Sequence, residues 1–157
     1  MVSVLMPAFN EASRIEASVS AALAIPGVDE VVVIDDGSAD QTGDLAAKAG
    51  AVVIRLTKNA GKGGALNVGL TKARGDVILT LDADLGASAL EGVKLLGPVL
   101  EGEAHMTVGV FPRRGKGGGF GLAKGLARQG ILLLTGQQLR EPLSGQRCLL
   151  REILVRC

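Results

Sequence analysis

The sequence has no tryptophan, no tyrosine and three phenylalanines in 157 residues. Proteins that hold single-stranded nucleic acid stack its bases on aromatic rings, so that class is excluded and no nucleic-acid partner is expected. Cysteine is almost as scarce. Cys148 and Cys157 stand near the end, with no CxxC pair and only one histidine, His105. A disulfide framework and a zinc site are therefore not expected, and a reducing, cytoplasmic setting is. No apolar stretch, Ile131–Leu134 among them, approaches the roughly 20 residues of a membrane-spanning helix. The N-terminus carries neither a basic leader region nor a signal-type cleavage region. Proline is rare, 5 residues against 23 glycines, and the glycines follow no period, which excludes collagen and favours tight turns and close backbone approaches.

Net charge is low as well, +1, but unevenly spread. Residues 1–100 carry 8 Lys/Arg against 12 Asp/Glu, and residues 101–157 carry 9 against 4. The acidic stretch suits a metal cation and the basic stretch an anionic partner, although solvated helix faces account for many single charges. With 47% apolar and 21% charged residues, the chain supports one α/β domain over residues 1–157, in which a nucleotide-side region, residues 1–110, precedes an acceptor-side region, residues 111–157.

Apolar and β-branched runs predict strands at Val2–Met6, closed by Pro7, then at Val31–Asp35, Ala51–Leu56, Asp76–Leu81 and Ala104–Val110. Between them helical spacing predicts residues 11–24 with Asn10 or Ser13 as cap, a helix opened by Ser38-Ala39-Asp40-Gln41, Lys62–Arg74, and a helix opened by Ser88–Glu91. This alternation indicates βαβ units and a parallel sheet. Beyond Phe111 come a basic, glycine-rich loop at Arg113–Gly119 and a glycine-interrupted helix at Phe120–Gln138. Leu149, Leu150, Ile153 and Leu154 mark one face of a last helix, which meets Cys157 uncapped, as the end of a truncated chain would.

In an open parallel sheet, ligands bind beyond the carboxyl ends of the strands, and polar residues gather there repeatedly. After the first strand come Pro7-Ala8-Phe9-Asn10-Glu11, after the second Asp35-Asp36-Gly37-Ser38, after the third Gly61-Lys62-Gly63-Gly64, and after the fourth Asp82-Ala83-Asp84. Strand alternation directs Asp82 and Asp84 to one side. Paired carboxylates repel unless a cation neutralises them, and hard oxygen donors suit Mg²⁺ or Mn²⁺. The alternative is that one aspartate caps the turn and the other is solvated; the position after a buried strand favours the metal. Glycines around Lys62 let backbone approach phosphates, or form a surface turn. No Walker A loop is present, since Gly63 follows Lys62, and no G-x-G-x-x-G follows the first strand. Asp36 suits a pyrimidine edge or ribose hydroxyls. Ser38 fits an N-cap, His105 fits a strand edge, and Ser144 has no partner for nucleophilic chemistry.

The four segments, with Ala65-Leu66-Asn67 after the glycines, resemble in order and spacing the family 2 glycosyltransferases, over residues 2–110. Pro142-Leu143-Ser144-Gly145-Gln146 is more loosely similar to the acceptor loop of glucosyl-3-phosphoglycerate synthases. The resemblance implies a GT-A fold, a mostly parallel, Rossmann-like sheet flanked by helices. It also implies transfer of a sugar from a nucleoside-diphosphate donor, UDP-linked, to a hydroxyl acceptor that is itself anionic. By position it implies that Pro7, Ala8, Glu11 and Asp36 hold base and ribose, and that Gly61 and Lys62 meet the phosphates. Asp82, Ala83 and Asp84 would meet the sugar and a divalent metal, Mg or Mn, with Asp82 and Asp84 as ligands. Ser144 and Gly145 would border the acceptor.

After residue 100 the only acids are Glu101, Glu103, Glu141 and Glu152, none in a Glu-Asp pair, and no histidine follows His105. The catalytic inventory is thus shorter than the family's, as in a nucleotide-binding portion of a larger enzyme. Rival readings are a non-catalytic nucleotide-sugar module, a nucleotidyltransferase, and a membrane-surface enzyme acting on a polyprenyl phosphate through Lys124, Arg128 and Arg140. A homodimer is the assembly allowed for.

Overall fold

A computed structural model describes residues 1–110 and 145–155. Its strands are β1 (Val2–Ala8), β2 (Glu30–Asp35), β3 (Val52–Arg55), β4 (Val77–Thr80), β5 (Met106–Val108) and β6 (Arg147–Leu150). The helices are α1 (Ile15–Leu23), α2 (Thr42–Lys48), α3 (Gly61–Lys72), α4 (Val93–Leu100) and α5 (Arg151–Val155), with a 3₁₀ run at Gly86–Gly92. The four branched residues Val31–Ile34 form a strand buried along its whole length, as a run covered on both faces must be.

The strands form one sheet of order β3-β2-β1-β4-β6-β5. β3, β2, β1 and β4 are parallel, while β6 runs antiparallel to β4 and β5. Alternation along β1 divides the core. Val4 and Met6 pack with Ile15, Val19 and Ala22 of α1 and Leu96 of α4; Leu5 packs on the other face with Ile34, Ile78 and Ala65 of α3. α3 approaches β2 closely, since a Cβ at Gly69 would lie 2.6 Å from Ile34 Cδ1. Among the described residues no helix is long and apolar enough to cross a membrane. Cys148 is buried, and burial pushes its thiol up to about 12, so it is a neutral core side chain.

A polar knot closes the opposite end of the sheet from the strand exits. The buried Glu30 carboxylate accepts hydrogen bonds from Ser3 Oγ at 2.5 Å, the Arg74 amide at 2.8 Å and Arg74 Nε at 3.0 Å. Burial alone would raise its pKa, but these donors together hold it below the ordinary range.

Four sequence expectations need correction. Pro7 lies within β1 rather than ending it, opposite Ile34. Leu5 C=O accepts from Leu81, so the odd residues of β1 face β4, and β4 pairing ends at Leu5; the missing N–H of Pro7 interrupts no ladder bond. Ser38 and Asn10 cap no helix but bond to each other's loops, and α2 begins only at Thr42. The segment at Ser88 is 3₁₀ without a side-chain cap, with Pro98 inside the helix that follows. Leu149 and Leu150 belong to β6, because the exposed edge of β4 takes Arg147–Leu150 as its partner; the helix begins after them. The expected elements at 113–119 and 120–138 lie outside the described residues.

Candidate active site

The chain leaves β1 outward to β2 and β3, then crosses back to β1's other side as β4. That reversal opens a crevice at the carboxyl ends of β1 and β4, the place where open α/β sheets bind ligands.

At the exit of β1, Asn10 takes a left-handed backbone, φ 55°. Its N–H donates to Ser38 Oγ at 3.0 Å and its Oδ1 accepts the Ala39 N–H at 2.9 Å. The Glu11 N–H donates to Thr42 Oγ1 at 2.8 Å. The loops after β1 and β2 are thereby stitched together, leaving Glu11 half-buried beside the half-buried end of β1 at Pro7.

The exit of β2 carries Asp36, 4% exposed. Its N–H donates to Ala8 C=O at 2.8 Å, and its Oδ1 accepts the Ala60 N–H at 2.7 Å. Gly37 has φ 76°, and a Cβ there would stand 3.0 Å from the Asn59 nitrogen, so the loop before α3 runs directly over it. Gly61, φ 74°, opens α3, and Lys62 follows on its first turn. The loop that bonds Asp36 through Ala60 thus delivers Lys62 two residues later to an ion pair with Asp82 Oδ1.

Beyond β4, Leu81 and Ala83 are buried while Asp82 and Asp84 have side chains 35% and 51% exposed. The strand alternation therefore persists through the motif and turns both carboxylates away from the core. Asp84 Oδ2 lies 3.9 Å from Arg14 Nη1. Gly145 comes from a distant stretch of the chain, anchored where Thr80 Oγ1 donates to its carbonyl at 3.0 Å. A Cβ at Gly145 would meet the Lys62 ammonium and stand 3.1 Å from Asp82 Oδ1. Beside this pair a cleft of about 640 Å³ is lined in part by Thr80, Leu5, Leu66 and Ile78.

Among the described residues no three His, Cys, Asp or Glu side chains converge as a metal cluster. Among the described residues, the carboxylates that follow β4 are those of Asp82 and Asp84. That donor set fits Mg²⁺ or Mn²⁺ shared with a bound diphosphate, since such ions are held by one or two carboxylates plus phosphate oxygens and water. A site made by protein alone does not fit.

Of the residues singled out from sequence, Ala8, Glu11, Asp36, Gly61, Lys62, Asp82, Ala83, Asp84 and Gly145 are linked here by contacts or neighbouring backbone, with Pro7 at their edge. Ser144 lies outside the described residues. His105 is exposed next to β5 and bonds Leu150 through its backbone. Three participants were not singled out: Arg14, Thr80 and the buried Ser18, which contacts the Asp82–Asp84 turn. Ser18 left one signal, a hydroxyl among the apolar positions Ile15, Val19 and Ala22.

Comparison with known proteins gives the same frame. Residues 3–148 match the model of the family described as Glycosyl transferase family 2. Human dolichyl-phosphate beta-glucosyltransferase is 39% identical over 111 residues, 60% of this chain and 34% of its own length. Glucosyl-3-phosphoglycerate synthase of Mycobacterium tuberculosis is 37% identical over 123 residues, 72% of this chain and 38% of its own length. Glycosyltransferase AglJ of Haloferax volcanii is 33% identical over 160 residues, covering 96% of this chain and 50% of that protein. The chain spans half or less of the length of these curated relatives. The crystal structure of the M. tuberculosis synthase with Mn²⁺, uridine-diphosphate-glucose and phosphoglyceric acid superposes with a TM-score of 0.76 at 33% identity, covering 98% of this chain and 58% of that one. The sheet order and the match over residues 3–148 agree: this chain belongs to glycosyltransferase family 2 and has the GT-A fold.

Proposed function

We propose that the chain is the donor-binding portion of a metal-dependent glycosyltransferase that moves a sugar from a UDP-linked donor to a hydroxyl of an anionic acceptor. One observation carries this reading: the start of α3 touches Asp36 through the amide of Ala60, the residue before the helix, and Asp82 through Lys62. In this reading a nucleoside side and a diphosphate side are thereby joined in one crevice.

In this reading Pro7, Ala8, Glu11 and Asp36 hold the base and ribose. The buried Asp36 carboxylate is fixed by one amide and turns its remaining acceptor capacity toward the nucleoside. Gly61 lets the backbone approach the diphosphate, and Lys62 places a cation beside it. Asp82 and Asp84 would hold the divalent ion, which when bound supplies positive charge for the leaving diphosphate. As the acceptor hydroxyl oxygen bonds the anomeric carbon and gives its proton to solvent, the C–O bond to the diphosphate breaks and its electron pair goes to the diphosphate, where Lys62 opposes the growing negative charge. Ser144 and Gly145 border the acceptor side.

The UDP assignment draws on the synthase crystallised with uridine-diphosphate-glucose, and the anionic acceptor on the basic balance of residues 101–157. Calorimetric titration of UDP and GDP, with and without Mn²⁺, tests the reading. We expect UDP binding that requires the metal and disappears in Asp84→Ala. Binding that ignores both Mn²⁺ and Asp84 overturns it.

A second reading, a polyprenyl-phosphate acceptor at a membrane surface, is favoured by the 39% identity to human dolichyl-phosphate beta-glucosyltransferase. Co-sedimentation with liposomes containing a polyprenyl phosphate separates it from a water-soluble acceptor.

A further inference from the structure

Ser18 lies on α1 with no exposed surface, between Ile15 and Val19 of the core. A buried hydroxyl is costly unless partnered, and this one is partnered on the far side of the sheet exit. Its Oγ accepts the Gly86 N–H at 2.8 Å and lies 2.7 Å from the Ala83 carbonyl, to which it donates. The Arg14 carbonyl of its own helix is farther, at 3.1 Å, and a hydroxyl has one proton to give. The Ala83 carbonyl belongs to the peptide that joins Ala83 to Asp84. Gly86 closes the same turn with a left-handed φ of 55°. One hydroxyl therefore grips the turn before Asp84 and after Leu85. Four residues earlier, on the same helical face, Arg14 reaches toward the Asp84 carboxylate at 3.9 Å.

We infer that Ser18 is a positioning residue: its hydroxyl holds the Ala83–Gly86 turn so that Asp82 and Asp84 present their carboxylates together to a divalent ion and diphosphate. This rests on the donor reading given above. Both carboxylates are partly exposed, Asp82 against Lys62 and Asp84 near Arg14, and their aim follows the backbone torsions between Asp82 and Gly86. Without the hydroxyl, the Ala83 carbonyl and Gly86 amide lose their buried partner and the turn relaxes; displacements near 1 Å cost such sites heavily. α1 begins at Ile15, whose N–H donates to the Glu11 carbonyl at 2.9 Å, so the same helix holds the Glu11 loop at its start and the Ala83–Gly86 turn near its middle.

The test is Mn²⁺ binding to the full chain at saturating UDP, followed by electron paramagnetic resonance. The variants are Ser18→Ala, Ser18→Cys as a same-sized second variant, and Val19→Ala as a core control on the same helix. We expect Ser18→Ala and Ser18→Cys each to weaken Mn²⁺ about tenfold, since the turn loses both hydrogen bonds to the hydroxyl. Val19→Ala, lowering the melting temperature at least as much, should leave Mn²⁺ affinity within about twofold of wild type, as a change remote from the turn should. The positioning role is overturned if the Ser18 variants weaken Mn²⁺ no more than Val19→Ala does. If wild type itself binds no Mn²⁺ with UDP, the donor reading fails, and the clamp with it; wild-type binding with an inert Ser18 overturns the clamp alone.

Discussion

The ammonium of Lys62 and Oδ1 of Asp82 form an ion pair that joins the first turn of α3 to the exit of β4, with Gly145 packed against both. Their side chains are 47% and 35% exposed, and pairs so wetted contribute only about 0–1 kcal/mol to stability. The consequence of the pair is electrostatic placement: a cation and an anion are held side by side where a diphosphate and a metal would meet.

Replacing Lys62 with methionine separates those two roles. We expect donor turnover to fall about 10²–10³-fold, the effect of removing one preorganised charge from a leaving-group site. The melting temperature should move by no more than about 2–3 °C, because an exposed pair stabilises little. Steady-state kinetics and a thermal melt on the same preparation check both halves.

Gly145 permits the pair by having no side chain. A methyl there would meet the Lys62 ammonium and lie 3.1 Å from Asp82 Oδ1; the flexible lysine would yield rather than the backbone. Gly145→Ala should therefore lower donor turnover about tenfold at most while leaving urea stability within about 0.5 kcal/mol. A stability loss larger than the kinetic loss would refute this account.

Gly37 is constrained twice, by φ 76° and by the Asn59 nitrogen 3.0 Å from its would-be Cβ. Alanine there incurs both the left-handed strain and a backbone contact that cannot swing aside. We expect Gly37→Ala to destabilise by about 1–3 kcal/mol in urea unfolding. UDP affinity should drop too, because the displaced loop carries the Ala60 amide that fixes Asp36.

Glu30 sets an acid limit. Its folded pKa lies below the usual 4.5, so its contribution is complete above that value and is lost as pH falls through the lower, folded pKa. Stability of the wild type should decline through this acid range. Glu30→Gln should be destabilised by about 1–3 kcal/mol at neutral pH, since the buried donors of Ser3 and Arg74 lose a charged acceptor. Its own decline through that range should be shallower. Denaturation series at stepped pH compare the two.

The sheet and most of its crevice were legible in the sequence. Val31–Ile34 reads as a strand covered on both faces, and Asp82-x-Asp84 follows an apolar run at the spacing that turns two carboxylates one way. Such patterns are written within a few neighbouring residues, where backbone geometry alone dictates which side chains share a face. Leu149 and Leu150 misled for the same reason. Their spacing with Ile153 and Leu154 fits a helix locally, and only the edge of β4 makes Arg147–Leu150 a strand.

Composition and spacing thus settled an alternating α/β domain, the aromatic-poor surface, and which aspartates and lysine stand at strand exits. Folding alone decided which of them meet. Lys62 reaches Asp82 across 20 residues, Ser18 reaches Ala83 across 65, and Thr80 brings in Gly145 across 65 more. Contacts of that separation leave no periodic trace, because each depends on where the sheet sets two exits side by side rather than on any repeat along the chain.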